Sequence, residues 1–152
     1  MIAQGLSPLR AAKNQEVSDD LEQIIQNILI STGSVSLLVH PDYNSALAHA
    51  LFYGLTVREH IEKNHLHGEV VSYGTLVQLM MDGQMEMLQK AHAFHRQIGL
   101  PVCLADLELS KDDPLSDVLE MAEKNQELNH VPYPVTQALI RKAIDDLENY
   151  AG

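Results

Sequence analysis

Eight histidines are the residues of this chain best suited to chemistry near neutral pH, and two of them stand in settings unlike the rest. His49 falls in the apolar run Ala48-His49-Ala50-Leu51-Phe52 and is expected to be buried. His67 opens a His-Gly-Glu step eighteen residues later, at the expected start of a helix. That separation is too long for one face of a single helical turn. It suits two consecutive helices meeting across a tight connection. Two neutral imidazoles brought together can ligate a divalent cation. The positive end of a helix dipole disfavours imidazolium at His67 and so favours the ligating form. Each residue also has a plainer use, His49 as a core histidine bonded to a carbonyl and His67 as an exposed helix-start side chain. On spacing alone the plainer uses are the commoner ones. Two further pairs compete: His92 and His95, expected on or near the solvated face of an amphipathic helix, and His65 with His67 in a turn. Neither shows a carboxylate or cysteine nearby that would complete a site.

The elements that must position these side chains read as a string of helices. Ser7-Pro8 suits a short helix start. Leu21, Ile24, Ile25, Ile28 and Leu29 follow one helix face, with Ser18 as N-cap and Gly33 as terminator. Residues 34–39 have strand propensity but no partner strand. A helix over about 45–61 carries His49, with Ala46, Ala50 and Gly54 as a small-residue stripe for close helix approach. Further helices are expected over about 68–81, 84–98 (ending at Gly99), 114–126, and from a Thr136 cap onward. The fold class is all-α, a helical bundle, with residues 1–152 as one domain of a size that can bury a sizeable core.

Charge and composition exclude several functions. A net charge of -11 with ten Lys and Arg argues against nucleic acid and against an anionic membrane surface. No apolar run approaches the length of a bilayer span. The start of the chain lacks the apolar core of a signal peptide. Cys103 is the sole cysteine, which points to a reducing compartment and a cytoplasmic location. No two of the eight glycines are close enough for a phosphate-cradling loop, and no alternating strand-helix pattern indicates a nucleotide-binding sheet. No catalytic or cofactor-binding residue is assigned.

Several segments follow one another in a set order: the Ala-His-Ala segment at 48–50, His67-Gly68-Glu69 with the following Tyr73-Gly74-Thr75-Leu76-Val77-Gln78-Leu79, and Gly99-Leu100-Pro101 running into Leu104-Ala105-Asp106-Leu107. In these the chain resembles the iron-containing alcohol dehydrogenase family, in particular its zinc- or iron-dependent glycerol dehydrogenase branch. Val131-Pro132-Tyr133-Pro134-Val135-Thr136 is similar to a segment near the family's C-terminus. The resemblance covers nearly all of this chain, but only the C-terminal part of a full-length member.

The resemblance implies that His49 and His67 are metal ligands, for zinc or iron. The family's third ligand, an upstream aspartate, has no counterpart here, so metal binding is expected to be weak. Phe52 and Tyr73 are candidates for lining the pocket or filling the core. Leu38-Val39-His40-Pro41-Asp42-Tyr43-Asn44 departs from the family's substrate-side loop, which puts glycerol as substrate in question; His40 and Tyr43 are candidates to replace its pocket contacts. Glu69 has a plainer use, complementing the helix start. The expectation is a truncated or split C-terminal part of an NAD-dependent polyol dehydrogenase, inactive alone, with NAD bound only alongside a separately encoded nucleotide-binding domain. The alternative is a non-catalytic helical interaction scaffold derived from that fold. Loss of the remaining enzyme should bare apolar surface, so a homo-oligomer is expected.

Overall fold

The computed structural model describes residues 6–38, 40 and 45–150. Among them every regular element is helical and no strand occurs, as the hydrophobic spacing predicts. The chain gathers into two compact units, Met1–Asn44 and Ser45–Gly152.

In the first unit, α1 (Leu6–Lys13) packs against α2 (Asp19–Gln26). The Ser18 hydroxyl accepts from the Leu21 amide at 3.2 Å, satisfying one free donor of the first turn of α2. Gly33 was expected to stop this helix. It instead takes ordinary helical φ (-62°), and the chain continues through a π-helical stretch, Asn27–Thr32, into α3 (Gly33–Leu38). Residues 34–38 are therefore helical despite their strand propensity. Without a neighbouring strand, their backbone groups find partners only within a helix. No residue from Asp19 to Leu38 is buried; Ile25, Ile28, Leu29, Ile30, Val35, Leu37 and Leu38 are all exposed.

The second unit holds α4 (Leu47–Leu55), α5 (Glu59–Asn64), α6 (His67–Met81), α7 (Met85–Ile98), α8 (Ser116–Glu123) and α9 (Gln137–Glu148). α4 packs against both α6 and α8, and α6 also packs against α7 and α9. Leu47, Leu51 and Leu55, one turn apart, are fully buried. The approach of α6 to α4 is set by Gly74, where a Cβ would stand 2.6 Å from the Ala48 carbonyl oxygen. A Cβ at Gly54 would likewise collide with the Val118 carbonyl oxygen on α8. The small-residue stripe thus makes its close contact with α8, while α6 rests on Ala48, one step off that stripe. The Ala48 amide also donates to the Gln78 side chain at 3.3 Å.

The helix expected over 45–61 is broken. The Thr56 hydroxyl bonds the Phe52 and Tyr53 carbonyls at 3.0 and 3.2 Å, ending α4. The turn that follows starts α5, on which Ile61 is fully buried. Gly99 closes α7 at φ 79°, a left-handed conformation that glycine adopts without a Cβ clash. Thr136 caps α9 through the Leu139 amide at 3.3 Å. No helix of the described residues is long and apolar enough to cross a membrane.

Candidate metal centre

Two helices deliver the histidine pair. His49 is the third residue of α4 and His67 the first of α6. The α4–α6 packing brings their ring centres to 5.5 Å with planes tilted by 47°. An imidazole bound at about 2.1 Å has its centre roughly 3 Å from the ion, so two such rings at a tetrahedral angle lie roughly 5 Å apart. The observed separation fits a shared cation. His49 is half-buried, less enclosed than its apolar neighbours in sequence suggest, and His67 is exposed. Burial, and then the neighbouring His67, push the His49 imidazole below its ordinary value, while Glu127 pulls it the other way. The lowered value leaves His49 neutral at pH 7, the form in which imidazole ligates. Among the described residues, no group of three or more His, Cys, Asp or Glu side chains could hold a metal ion. The residues present therefore offer two nitrogen ligands.

Phe52, one turn after His49, meets the His67 ring edge-on at 4.3 Å between centres. It is half-buried and packs on the core. Tyr73 is fully buried in the core, and its hydroxyl donates to the Glu148 carboxylate at 3.3 Å. His40 is exposed. Tyr43 lies outside the described residues. Glu69 accepts from the Leu66 amide at 3.0 Å and stands 3.5 Å from His65 Nδ1. Its carboxylate thus caps α6 and, four residues on from His65, gives the His65–His67 pair an acidic neighbour, contrary to the expectation that none stands nearby.

Glu127, on the 3-10 turn Gln126–Leu128 packed against α4, also acts on His49 through its charge. No local motif marks it, because only tertiary packing brings its charge near His49. His92 and His95 correct an expectation: they are only 5% and 9% exposed, not on a solvated face. The signal was available, since Leu88, Ala91, His92 and His95 follow the i, i+3, i+4, i+7 spacing of the buried side of α7. Burial is the main cause lowering both imidazoles, so both are uncharged at neutral pH.

A concavity of about 770 Å³ is lined by His92, Arg96, Cys103, Asp106 and Glu148 among others, but by neither His49 nor His67. Its acidic groups are engaged in holding the chain together. Asp106 accepts from the Val102 and Cys103 amides at 2.9 and 3.2 Å. Glu148 accepts from the Leu104 amide at 2.9 Å. Burial above all raises the Cys103 thiol, which keeps it protonated and a poor nucleophile.

No family model matches the chain. It is 31% identical over 154 residues to glycerol dehydrogenase of Thermotoga maritima, an alignment covering 99% of this chain and 41% of that protein. Glycerol dehydrogenase of Citrobacter freundii is 31% identical over 150 residues, covering 95% of this chain and 39% of the relative. Hydroxycarboxylate dehydrogenase A of Escherichia coli is 29% identical over 144 residues, covering 91% and 39% respectively. The solved structure of a probable glycerol dehydrogenase from Sinorhizobium meliloti superposes with a TM-score of 0.82 at 28% identity, covering 97% of this chain and 41% of that one. The chain thus spans about two-fifths of the length of the relatives it matches. In both sequence and helical fold it matches the C-terminal helical part of glycerol dehydrogenases.

Proposed function

We propose that this chain is the metal-ligand-bearing helical part of an NAD- and metal-dependent polyol dehydrogenase, and that turnover requires a nucleotide-binding polypeptide. The observation that carries this reading is the convergence of His49 and His67 at 5.5 Å. A divalent zinc or iron ion held there supplies a Lewis acid for an alcohol oxygen. The chain's own contribution is to hold the two imidazoles on packed helices, with His49 neutral and the Phe52 ring covering one side of His67. With two nitrogens and no completing carboxylate among the described residues, metal binding is expected to be weak. The second reading, a non-catalytic scaffold, is favoured by the lack of a third ligand among the described residues. Cytoplasmic residence, suggested by the single cysteine, is part of the proposal.

Zinc calorimetry on the wild type, His49→Ala and His67→Ala tests the site, with either substitution expected to weaken uptake tenfold or more. Equal uptake by all three proteins removes the pair as ligands. In parallel, NADH formation from glycerol and other vicinal diols is measured with zinc or iron supplied. No turnover and no NAD binding are expected from the chain alone. Metal-dependent turnover abolished by His49→Ala would overturn the need for a nucleotide-binding partner.

Self-association is the accompanying expectation. Ile25, Ile28, Leu29 and Leu37 are exposed on a segment with no charged residue from 23 to 38, and such surfaces usually end in contacts. Sedimentation should show a dimer or larger species that Leu29→Glu dissociates; a wild-type monomer at high concentration speaks against it.

A further inference from the structure

His67 is exposed at the first position of α6, so its own helix does little to fix the orientation of its ring. The contact at that ring comes from α4. Phe52 lies three residues after His49, a spacing that places both side chains on one side of the helix. Its ring centre stands 4.3 Å from that of His67 with planes at 68°, closer than the 5.5 Å between the two imidazoles. Phe52 also rests on the fully buried residues of the core, so it is an anchored wall beside an otherwise free side chain.

We propose that Phe52 is a positioning residue of the metal centre, its ring holding the His67 imidazole beside His49 so that both can meet one divalent cation. This rests on the metal-ligand reading given above. The physical effect has two parts. The wall removes rotamers of His67 in which the imidazole swings away from the cation, and it excludes water from one side of the ring. Hydrogen-bonding partners that orient metal ligands change affinity by about 10- to 100-fold when removed. Loss of one ring contact at an exposed ligand belongs at the lower end of that range.

Zinc affinity is measured by competition with a chromogenic chelator, and the visible spectrum of the cobalt(II)-loaded protein is recorded, for the wild type, Phe52→Leu, Phe52→Ala, Phe52→Tyr and His67→Ala. Metal-free thermal unfolding is followed for each. Phe52→Leu and Phe52→Ala should bind zinc about tenfold more weakly and alter the cobalt band, whereas Phe52→Tyr, which keeps the ring, restores both. Phe52→Leu retains most of the side-chain bulk, so it carries the test if Phe52→Ala fails to fold. A purely structural role would lower the unfolding midpoint and leave affinity and spectrum unchanged. Wild-type zinc affinity in Phe52→Leu overturns the proposal. If His67→Ala loses zinc while Phe52→Leu does not, positioning fails and the metal centre stands. If the wild type itself takes up no zinc, both fall.

Discussion

Gly74→Ala is expected to lower the stability of the protein by about 2 kcal/mol, a net of two opposed effects. Alanine is the better helix former by about 1 kcal/mol, and Gly74 sits inside α6. Against this, the new Cβ would stand 2.6 Å from the Ala48 carbonyl oxygen and 2.9 Å from its Cα. Those are backbone atoms, which cannot swing aside as a side-chain tip can, so α4 and α6 must separate. Overpacking costs about 1–3 kcal/mol, and a clash against backbone belongs at the top of that range. Gly54→Ala should behave alike, because its Cβ meets the Val118 carbonyl oxygen across the α4–α8 contact. Gly33→Ala is the control. Its φ is helical, nothing lies within 4 Å of the added carbon, and it should stabilise by up to about 1 kcal/mol. Urea unfolding of the three variants is the measurement. A Gly74→Ala midpoint at or above that of the wild type would mean that α4 and α6 are not locked at this crossing. Since the same crossing sets the His49–His67 separation, Gly74→Ala should also weaken zinc binding.

Removing the Glu148 carboxylate should cost about 2–3 kcal/mol, as hydrogen bonds to charged groups do when the buried partners are left behind. One oxygen of Glu148 accepts from the Leu104 amide at 2.9 Å and the Tyr73 hydroxyl at 3.3 Å, joining α9, the 3-10 turn Leu104–Leu107 and α6. Tyr73 is fully buried and has no solvent to turn to. Glu148→Leu should therefore lower the urea midpoint strongly, and Tyr73→Phe by less, about 1 kcal/mol. The two losses should be less than additive because they share one bond. The pH dependence has a definite sign. Burial, aided by the charges of Asp106 and Asp145, raises the Glu148 carboxyl above its ordinary value, although its hydrogen bonds oppose the shift. The folded state then holds the proton to higher pH than the unfolded chain. The proton-linked part of its contribution is complete below the unfolded value of 4.5 and is lost as pH rises through the raised folded value. The stability advantage of the wild type over Glu148→Gln should therefore shrink as pH rises from the acid side to neutrality. A constant difference between the two across that window would exclude proton linkage at Glu148.

The residues that carry their structural instructions locally behaved as their chemistry predicts. Thr136 caps α9, Gly99 turns left-handed after α7, and the apolar periods of α6, α7 and α9 produce helices close to their expected limits. Ser18 caps α2 for the same reason. In each case the deciding interaction spans at most about one helical turn. Two segments departed from expectation. Gly33 continues a helix instead of ending one. The chain breaks at Thr56, and Ile61 enters the core on a separate helix.

The candidate site divides in the same way. Sequence determined which residue types are able to ligate, the placing of His67 at a helix start, the family resemblance and the all-α class, because these depend on residue identity and short-range periodicity. Tertiary structure decided that His49 and His67 stand 5.5 Å apart, that Phe52 meets His67, and that Glu127 brings its charge near His49. It also decided that Tyr73 bonds Glu148, a residue 75 positions away. These contacts depend on how closely α4 packs against its neighbours. That closeness is set by bare backbone at Gly54 and Gly74, and the effect of a missing side chain appears only once another helix lies against it.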